Sequence, residues 1–352
     1  MNRVDGTAGR LELTLSRRAA VRLAVGSTVG LILAAAAAPA DAADRTTTFF
    51  RLGTGGTAGT YYPIGRLIAA QLTDHLGAAC IDDCPDPRML AVAQASNGSV
   101  SNVKELVARR LEAGLVQADI AHWGYRGEGI FSGRSPMREL RAIGRLYSET
   151  LHIVARADAG IRRFDDLRGQ RVSLDEEGSG TLIAARLVLE AHGLGEARIE
   201  PIYIKPDLAI QRMRAGQLEA FFTVAGAPVR SITALASELP ITLVPIDAER
   251  QRAIAARVPF FAPALIPAAL YPDSAATASL EVGALLLTRA DLDEDLIYRV
   301  TSVLWNEDTH EVLAKGHARG RTIRLNSALD GLPLPLHPGA ERFYRGTGLL
   351  PP

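Results

Sequence analysis

The sequence predicts an α/β protein built on parallel strands, and three observations predict it. Phe49–Leu76, FFRLGTGGTAGTYYPIGRLIAAQLTDHL, reads as an apolar strand, a glycine-rich loop and an amphipathic helix. The same order recurs from Met89 to Leu111 and from Val172 to Gly193. Strands and helices of this length that alternate imply parallel sheets covered on both faces.

The first unit is the most informative. Ile64, Leu67, Ile68, Leu72 and Leu76 repeat at helical spacing, and Pro63 sits just inside the helix start. A strand feeding such a loop and helix presents free N–H groups and a positive dipole end to an anion. The alternative is a glycine-rich turn with no ligand. Gly53, Gly55 and Ala58 also fit a dinucleotide pattern, but Asp74 lies inside the helix, where the acidic partner of that pattern does not belong. No cofactor is therefore expected, and the seven histidines are scattered without ligand spacing, so no metal is expected either.

Elsewhere, Met89–Ala95 reads as a strand followed by Ser96–Asn102, where Asn102 with Glu105 resembles a capping box. Leu115–Ile120 reads as a strand whose Gln117 and Asp119 share a face, leading to His122, Trp123 and Tyr125. Leu140–Tyr147 and Thr150–Ala155 flank a crossing point at Ser148-Glu149, and His152 reads as a hydrogen-bonded core histidine. Asp175–Thr181 is a polar glycine loop before a helix from Leu182 to Ala191. Strands follow at Ile199–Ile204, Glu219–Val224, Ile241–Ile246 and Glu281–Thr288, with helices near Leu208–Ala215, after Pro228, at Asp293–Trp305 and at Glu307–Lys315. The tail from Asn326 reads as a wrapping segment.

Arg17-Arg18 precede the uncharged run Leu23–Ala40, with small-residue sites at Ala38-Pro-Ala40 and Ala40-Asp-Ala42. This is the layout of a signal peptide over 1–43, by the general or, with Ser16-Arg17-Arg18, the twin-arginine route. The alternative is a membrane anchor. Removing these residues takes away five Arg and three acids and leaves 34 basic against 36 acidic side chains. So balanced a charge suggests neither nucleic acid nor an anionic membrane as partner. Cys80 and Cys84, the only cysteines, are expected to close a local disulfide in an exported chain.

Ligands of open parallel sheets bind beyond the carboxyl ends of the strands. Two such sheets facing each other and joined by crossing strands would gather these loops around one cleft. Thr54–Tyr62 and Ser96–Asn102 come from one side, Ser179–Thr181 and Val224–Pro228 from the other. Asn102 and Ser179 can equally serve as helix caps, and Glu149 as hinge, as binder or as neither.

The segments GTGGTAGTYYPIG, GSVSNVKEL, LVQADIA, LYSETLHIVARADAGIRRFDDLRGQRVSLDEEGSGT, GQLEAFFTVAGAPVRSI and LPLHPGAERFYRGTG resemble the TAXI family of solute-binding proteins, the receptors of TRAP-type transporters. The resemblance runs from about Phe49 to Gly348. It implies a type II periplasmic binding protein fold, two α/β lobes joined by crossing strands with a ligand cleft between them. Lobe 1 would be 44–149 plus 280–352 and lobe 2 would be 150–279. It also implies a periplasmic receptor, without catalysis, that delivers a small carboxylate or amino acid such as glutamate, glutamine or 2-oxoglutarate to an ion-driven membrane permease. The family motifs fall on Gly55–Tyr62, Ser99–Asn102 and Ser179–Thr181.

The expected ligand contacts are Gly55, Gly56, Thr57, Tyr61 and Tyr62 in the first loop, and Ser99, Asn102, Gln117 and Glu149 in the middle of the chain. Ser179, Gly180, Thr181, Val224 and Gly226 complete the set. Asp175-Glu176-Glu177 departs from the less charged start usual in the family and would place acids in the cleft if they face it. Two other readings are an exported cofactor-dependent oxidoreductase, resting on Gly53-x-Gly55, and a serine hydrolase, for which Gly178-Ser179-Gly180 is too short an elbow.

Overall fold

The computed structural model describes residues 47–77 and 88–351. The expected signal peptide and the Cys80–Cys84 disulfide lie outside the described residues. The first strand, β1 (Thr48–Gly53), is followed by α1 (Tyr61–Leu76), β2 (Met89–Gln94), α2 (Ser99–Val107), β3 (Ala113–Gln117) and α3 (Ala118–Arg126). The long strand β4 (Leu140–Arg156) leads to β5 (Arg171–Ser173), α4 (Gly180–Ala191), β6 (Glu200–Ile202), α5 (Pro206–Arg214), β7 (Ala220–Ala225), α6 (Arg230–Glu238), β8 (Ile241–Leu243) and α7 (Ala248–Arg257). The chain closes with β9 (Phe261–Ile266), β10 (Thr277–Arg289), α8 (Glu294–Leu304), α9 (Glu307–Gly316) and α10 (Pro338–Gly346).

Hydrogen bonds run through one mixed sheet in the order β2-β1-β3-β10-β4-β7-β5-β6, with β8 beside β4 and β9 beside β10. This corrects the expectation of two separate parallel sheets. The two parallel triads are present, β2-β1-β3 and β7-β5-β6. Antiparallel β10 and β4 join them edge to edge. The reason is strand length. The 17 residues of β4 suffice to pair with β10 over one half and with β7 over the other. Leu140–Tyr147 and Thr150–Ala155 are thus one strand, and Glu149 sits within it.

Other boundaries shift for physical reasons. The apolar run at Leu115 leaves the sheet at Gln117, and Asp119 falls in the first turn of α3, where a carboxylate suits the helix dipole. Gln117 and Asp119 therefore do not share a strand face. α2 starts three residues before Asn102, which is buried inside the helix rather than capping it. α6 starts two residues after the cis Ala227-Pro228 bond. α7 and β9 carry no clear period in the sequence and were not expected. The tail contains α10, packed on α8.

Phe50, Leu52, Ile64, Ile68 and Leu72 pack with Leu286, Ile297 and Val300 in the core around β1. Phe221, Ile210, Met213, Ile232 and Tyr271 form a core at the other end of the sheet. A third cluster spans the middle, from Val103 and Ile120 to Leu182 and Val188. Fully burying each Leu, Ile or Phe contributes ~1.5–3 kcal/mol, so these clusters fix where each strand ends. His152 is wholly buried between them. Its Nδ1 lies 2.9 Å from the Thr150 carbonyl and its Nε2 2.9 Å from the Tyr271 hydroxyl, which accepts from Val229 N. Trp123 and Tyr125 pack against the central cluster.

Candidate functional site

The carboxyl ends of β1, β2, β3, β5, β6 and β7 and the segments after them wall a cavity of about 60 Å³. Four helices start at it: α1 at Tyr61, α2 at Ser99, α4 at Gly180 and α5 at Pro206. The first N–H groups of each helix have no partner within the helix and carry its positive dipole end. Larger hollows of about 310, 330 and 440 Å³ lie elsewhere, but no such set of helix starts converges on them.

Each wall is held by specific bonds. Asn102 Nδ2 donates to the carbonyls of Thr54 and Leu115, both at 2.7 Å, tying the first loop to β3. Ser99 Oγ accepts from Gln117 N at 3.0 Å, so the start of α2 fixes the end of β3. Ser179 caps α4 by accepting from Leu182 N, and Thr181 Oγ1 accepts from Val224 N, each at 3.0 Å. The two sides touch directly: Ser101 N donates to the Gly178 carbonyl at 2.9 Å and Asn97 Nδ2 to that of Glu177 at 3.0 Å. Gly98, with φ 108° and ψ −153°, holds a conformation essentially reserved for glycine. Gly180 lies against the Gln117 carboxamide, where a Cβ would not fit.

Of the expected residues, Gly55, Gly56, Tyr61, Ser99, Gln117, Glu149, Ser179, Gly180, Thr181 and Val224 line this cavity. Thr57 is exposed, Tyr62 is half-buried, and neither lines it. Asn102 lies beneath it as a brace, and Gly226 meets the Thr60 hydroxyl beside it. Asp175 and Glu176 do face the cavity, whereas Glu177 is exposed. Gly59, Thr60, Asn97 and Gly98 also line it, within loops expected at the cleft but not among the named contacts, whereas Pro206 and Thr223 were missed. Adjacency to Tyr61 and Ser99 was the available signal for Thr60 and for Asn97-Gly98. Gly53 is explained by packing: a methyl there would lie 2.7 Å from Asn102 Oδ1, so its glycine needs no pyrophosphate.

Several buried polar groups in and beside its wall lack a well-formed hydrogen bond. The Tyr61 hydroxyl, Gln117 Oε1 and Glu149 Oε2 are buried without a hydrogen bond, as are both oxygens of Asp119 and the Tyr147 hydroxyl nearby. Burial pushes the Glu149 carboxyl up to about 8, with Asp119 adding to the rise and the Tyr61 hydroxyl and Arg319 opposing it. Burial likewise raises Asp119 to about 7. It raises Asp175 to about 7 as well, reinforced by Glu176 and opposed by the Glu176 N–H and by Thr181 and Ser179. Burial and the Glu149 charge hold the Tyr61 and Tyr147 phenols well above their usual range. Glu176 is raised by burial and eased by Lys205, whose Nζ is 3.4 Å away. Among the described residues no Arg, Lys or His lines the cavity.

The model of the NMT1-like family matches residues 52–348. The chain is similar to PhnD1 from Prochlorococcus marinus (MIT 9301) in complex with methylphosphonate, with 10% identity over 86% of this chain and 99% of that one and a TM-score of 0.52. This likeness shows the fold, that of the periplasmic binding proteins. The alkanesulfonate-binding protein SsuA from Xanthomonas axonopodis pv. citri bound to MOPS is 16% identical over 84% of this chain and 82% of its own, with a TM-score of 0.48. MatC (Rpa3494) from Rhodopseudomonas palustris with bound malate is 12% identical over 77% and 88%, also at 0.48. No helix among the described residues is long and apolar enough to cross a membrane.

Proposed function

The chain belongs to the NMT1-like family, and we propose that it is the periplasmic solute receptor of a TRAP-type transporter of the TAXI kind. In this reading it captures one small carboxylate or amino acid and hands it to a membrane permease, without chemical turnover. The segments 44–149 with 280–352 and 150–279 act as lobes that close on the solute about β4 and β10. The observation that carries the reading is the convergence of four helix starts and three buried polar side chains without a well-formed hydrogen bond, Tyr61, Gln117 and Glu149, on one cavity. Buried polar groups cost ~1–3 kcal/mol each when unpaired, so their gathering here supports a bound partner. The direct contacts across the cavity, Ser101 to Gly178 and Asn97 to Glu177, support a closed conformer.

Isothermal titration of the purified chain, freed of residues 1–43, against carboxylates and amino acids tests this. Saturable one-to-one heat near micromolar affinity, about −8 kcal/mol, is expected, with the solute recovered unchanged. Absence of heat and of any melting shift across the panel, or conversion of the solute, contradicts it.

A further inference from the structure

Glu149 and Thr150 are neighbours on β4, and the alternation of a strand sends their side chains to opposite faces of the sheet. Glu149 lines the cavity described above, whereas Thr150 lines a separate hollow of about 330 Å³. Thr150 pairs across the sheet with Glu281 of β10, whose side chain therefore shares that face and also lines the hollow. Pro263 of β9, with Pro267 and Leu270 just after it, adds apolar walls. Ligand pockets commonly enclose about 300–1,000 Å³, and this hollow falls in that range.

Arg319 reaches the hollow from the turn Ala318–Thr322. Its backbone is fixed on both sides: Arg319 N donates to His317 Nδ1 at 3.1 Å, and the Thr322 hydroxyl donates to the Arg319 carbonyl at 2.8 Å. Its stem runs past Gly226, where a methyl would lie 2.6 Å from Arg319 Cγ, so this glycine makes room for the arginine. The guanidinium held in this way has a buried Nε without a hydrogen-bond acceptor. Among the described residues it forms no ion pair, not even with Glu281. Elsewhere in the protein Arg51 and Arg171 each take a carboxylate with Nε and Nη2 together, that of Glu112 and that of Glu219. A guanidinium is always charged and its planar fork matches a carboxylate, so Arg319 is a fork without its counterpart. A buried charged donor left unpaired is costly, and a bound anion would answer it.

We propose that this hollow is a second binding site, on the sheet face opposite the cavity at Glu149, for a monocarboxylate with a compact apolar body. The carboxylate pairs with Arg319, the Thr150 hydroxyl offers a further donor, and the apolar body lies against Pro263, Pro267 and Leu270. Glu281 sets the charge limit: a second negative group in the same hollow meets its carboxylate, which disfavours dicarboxylates. The site shares no lining residue with the cavity at Glu149 and stands independently of the receptor reading.

The test places a reporter at the hollow itself. Leu265 lines it and is 63% exposed, so Leu265→Trp puts an indole there at little cost to packing. The probe is 4-bromobenzoate, whose bromine quenches indole fluorescence; the signal of the parent, from Trp123 and Trp305, is subtracted. Saturable quenching is expected, more than tenfold tighter than by 4-bromobenzamide, 4-bromobenzylammonium or the dianion 5-bromoisophthalate. Adding Arg319→Gln is expected to weaken the benzoate more than tenfold and to leave the benzamide within threefold. Adding Glu281→Gln is expected to narrow the gap between benzoate and isophthalate. Crystals of the parent soaked in 4-bromobenzoate test the site without any variant, and an anomalous bromine peak in the hollow with the carboxylate on Arg319 is expected. Benzamide quenching as tightly as benzoate, unchanged affinity in Arg319→Gln, or no bromine in the hollow overturns the site. An unchanged gap in Glu281→Gln overturns the charge limit. None of these results bears on solute binding at Glu149, which the titrations of the preceding subsection decide.

Discussion

Thr60 and Gly226, 166 residues apart, exchange two hydrogen bonds: the Thr60 hydroxyl accepts from Gly226 N at 3.0 Å and donates to the Gly226 carbonyl at 3.2 Å. Nearby, Ser231 Oγ donates to the Ala58 carbonyl at 2.9 Å and Arg230 Nη2 to that of Gly316 at 3.0 Å. A methyl on Gly226 would lie 2.6 Å from Arg319 Cγ and 3.1 Å from Thr60 Cγ2. The loop after β1 and the loop after β7 are thereby clasped beside the cavity.

Thr60→Val should break the clasp while preserving shape. It leaves a buried N–H and a buried carbonyl unpaired, which costs about 1–3 kcal/mol. Urea unfolding is expected to show that loss, and stopped-flow release of a bound solute is expected to be several-fold faster. Stability within 0.5 kcal/mol of the parent would show that the clasp carries no energy.

Gly98 and Gly56 make a matched pair. Gly98→Ala forces a Cβ into a backbone region reserved for glycine and should cost about 1–3 kcal/mol. Gly56 has open space where its Cβ would stand, so Gly56→Ala is expected to change stability by less than about 0.5 kcal/mol. Chemical denaturation of both variants decides it, and equal losses would contradict the geometry.

Asn102→Ala removes both donors that brace the Thr54 and Leu115 carbonyls. Thr54 O keeps a bond from Ser96 Oγ at 2.9 Å. The expected cost is ~1–3 kcal/mol in stability with weaker solute binding, although Asn102 does not line the cavity. Binding unchanged at that loss of stability would separate the brace from the site.

The pH dependence of the ligand-free protein follows from the raised acids. Glu149, Asp119 and Asp175 hold their protons more tightly folded than unfolded, so stability falls as pH rises from about 4 toward 7 to 8. His152 is held down to about 4 by burial, and its contribution rises with pH up to about 6.5 and is then flat. Above pH 6.5 only the acids act. The melting temperature is expected to fall between pH 6.5 and 8.5, with a shallower slope in Glu149→Gln. Identical slopes in the two proteins would show that Glu149 does not titrate as described.

Local order was legible in the sequence where local interactions set it. The periodicity of Ile64, Ile68 and Leu72 marked α1, and Gly178-Ser179-Gly180 marked the start of α4, which Ser179 caps. The acidic character of the cavity was only half visible. Asp175 and Glu176 stood out as an acidic run, but Glu149 owes its position to a 17-residue strand shared by both ends of the sheet. Asp119 was misplaced because an apolar run can continue into a helix as readily as a strand. Arg319 and the Thr60–Gly226 clasp depend on contacts between distant segments, which no local pattern encodes. α7 escaped because its exposed face is mostly charged and only Gln251 and Ile254 are buried.

The most direct test of the central claim is a crystal structure of the protein purified from its host without dialysis, with the released solute identified by mass spectrometry. The account predicts one small carboxylate or amino acid within hydrogen-bonding distance of Glu149, Gln117 and the first residues of α1, α2 and α4. A solute bound at any other surface, with this cavity filled by protein side chains, would contradict it.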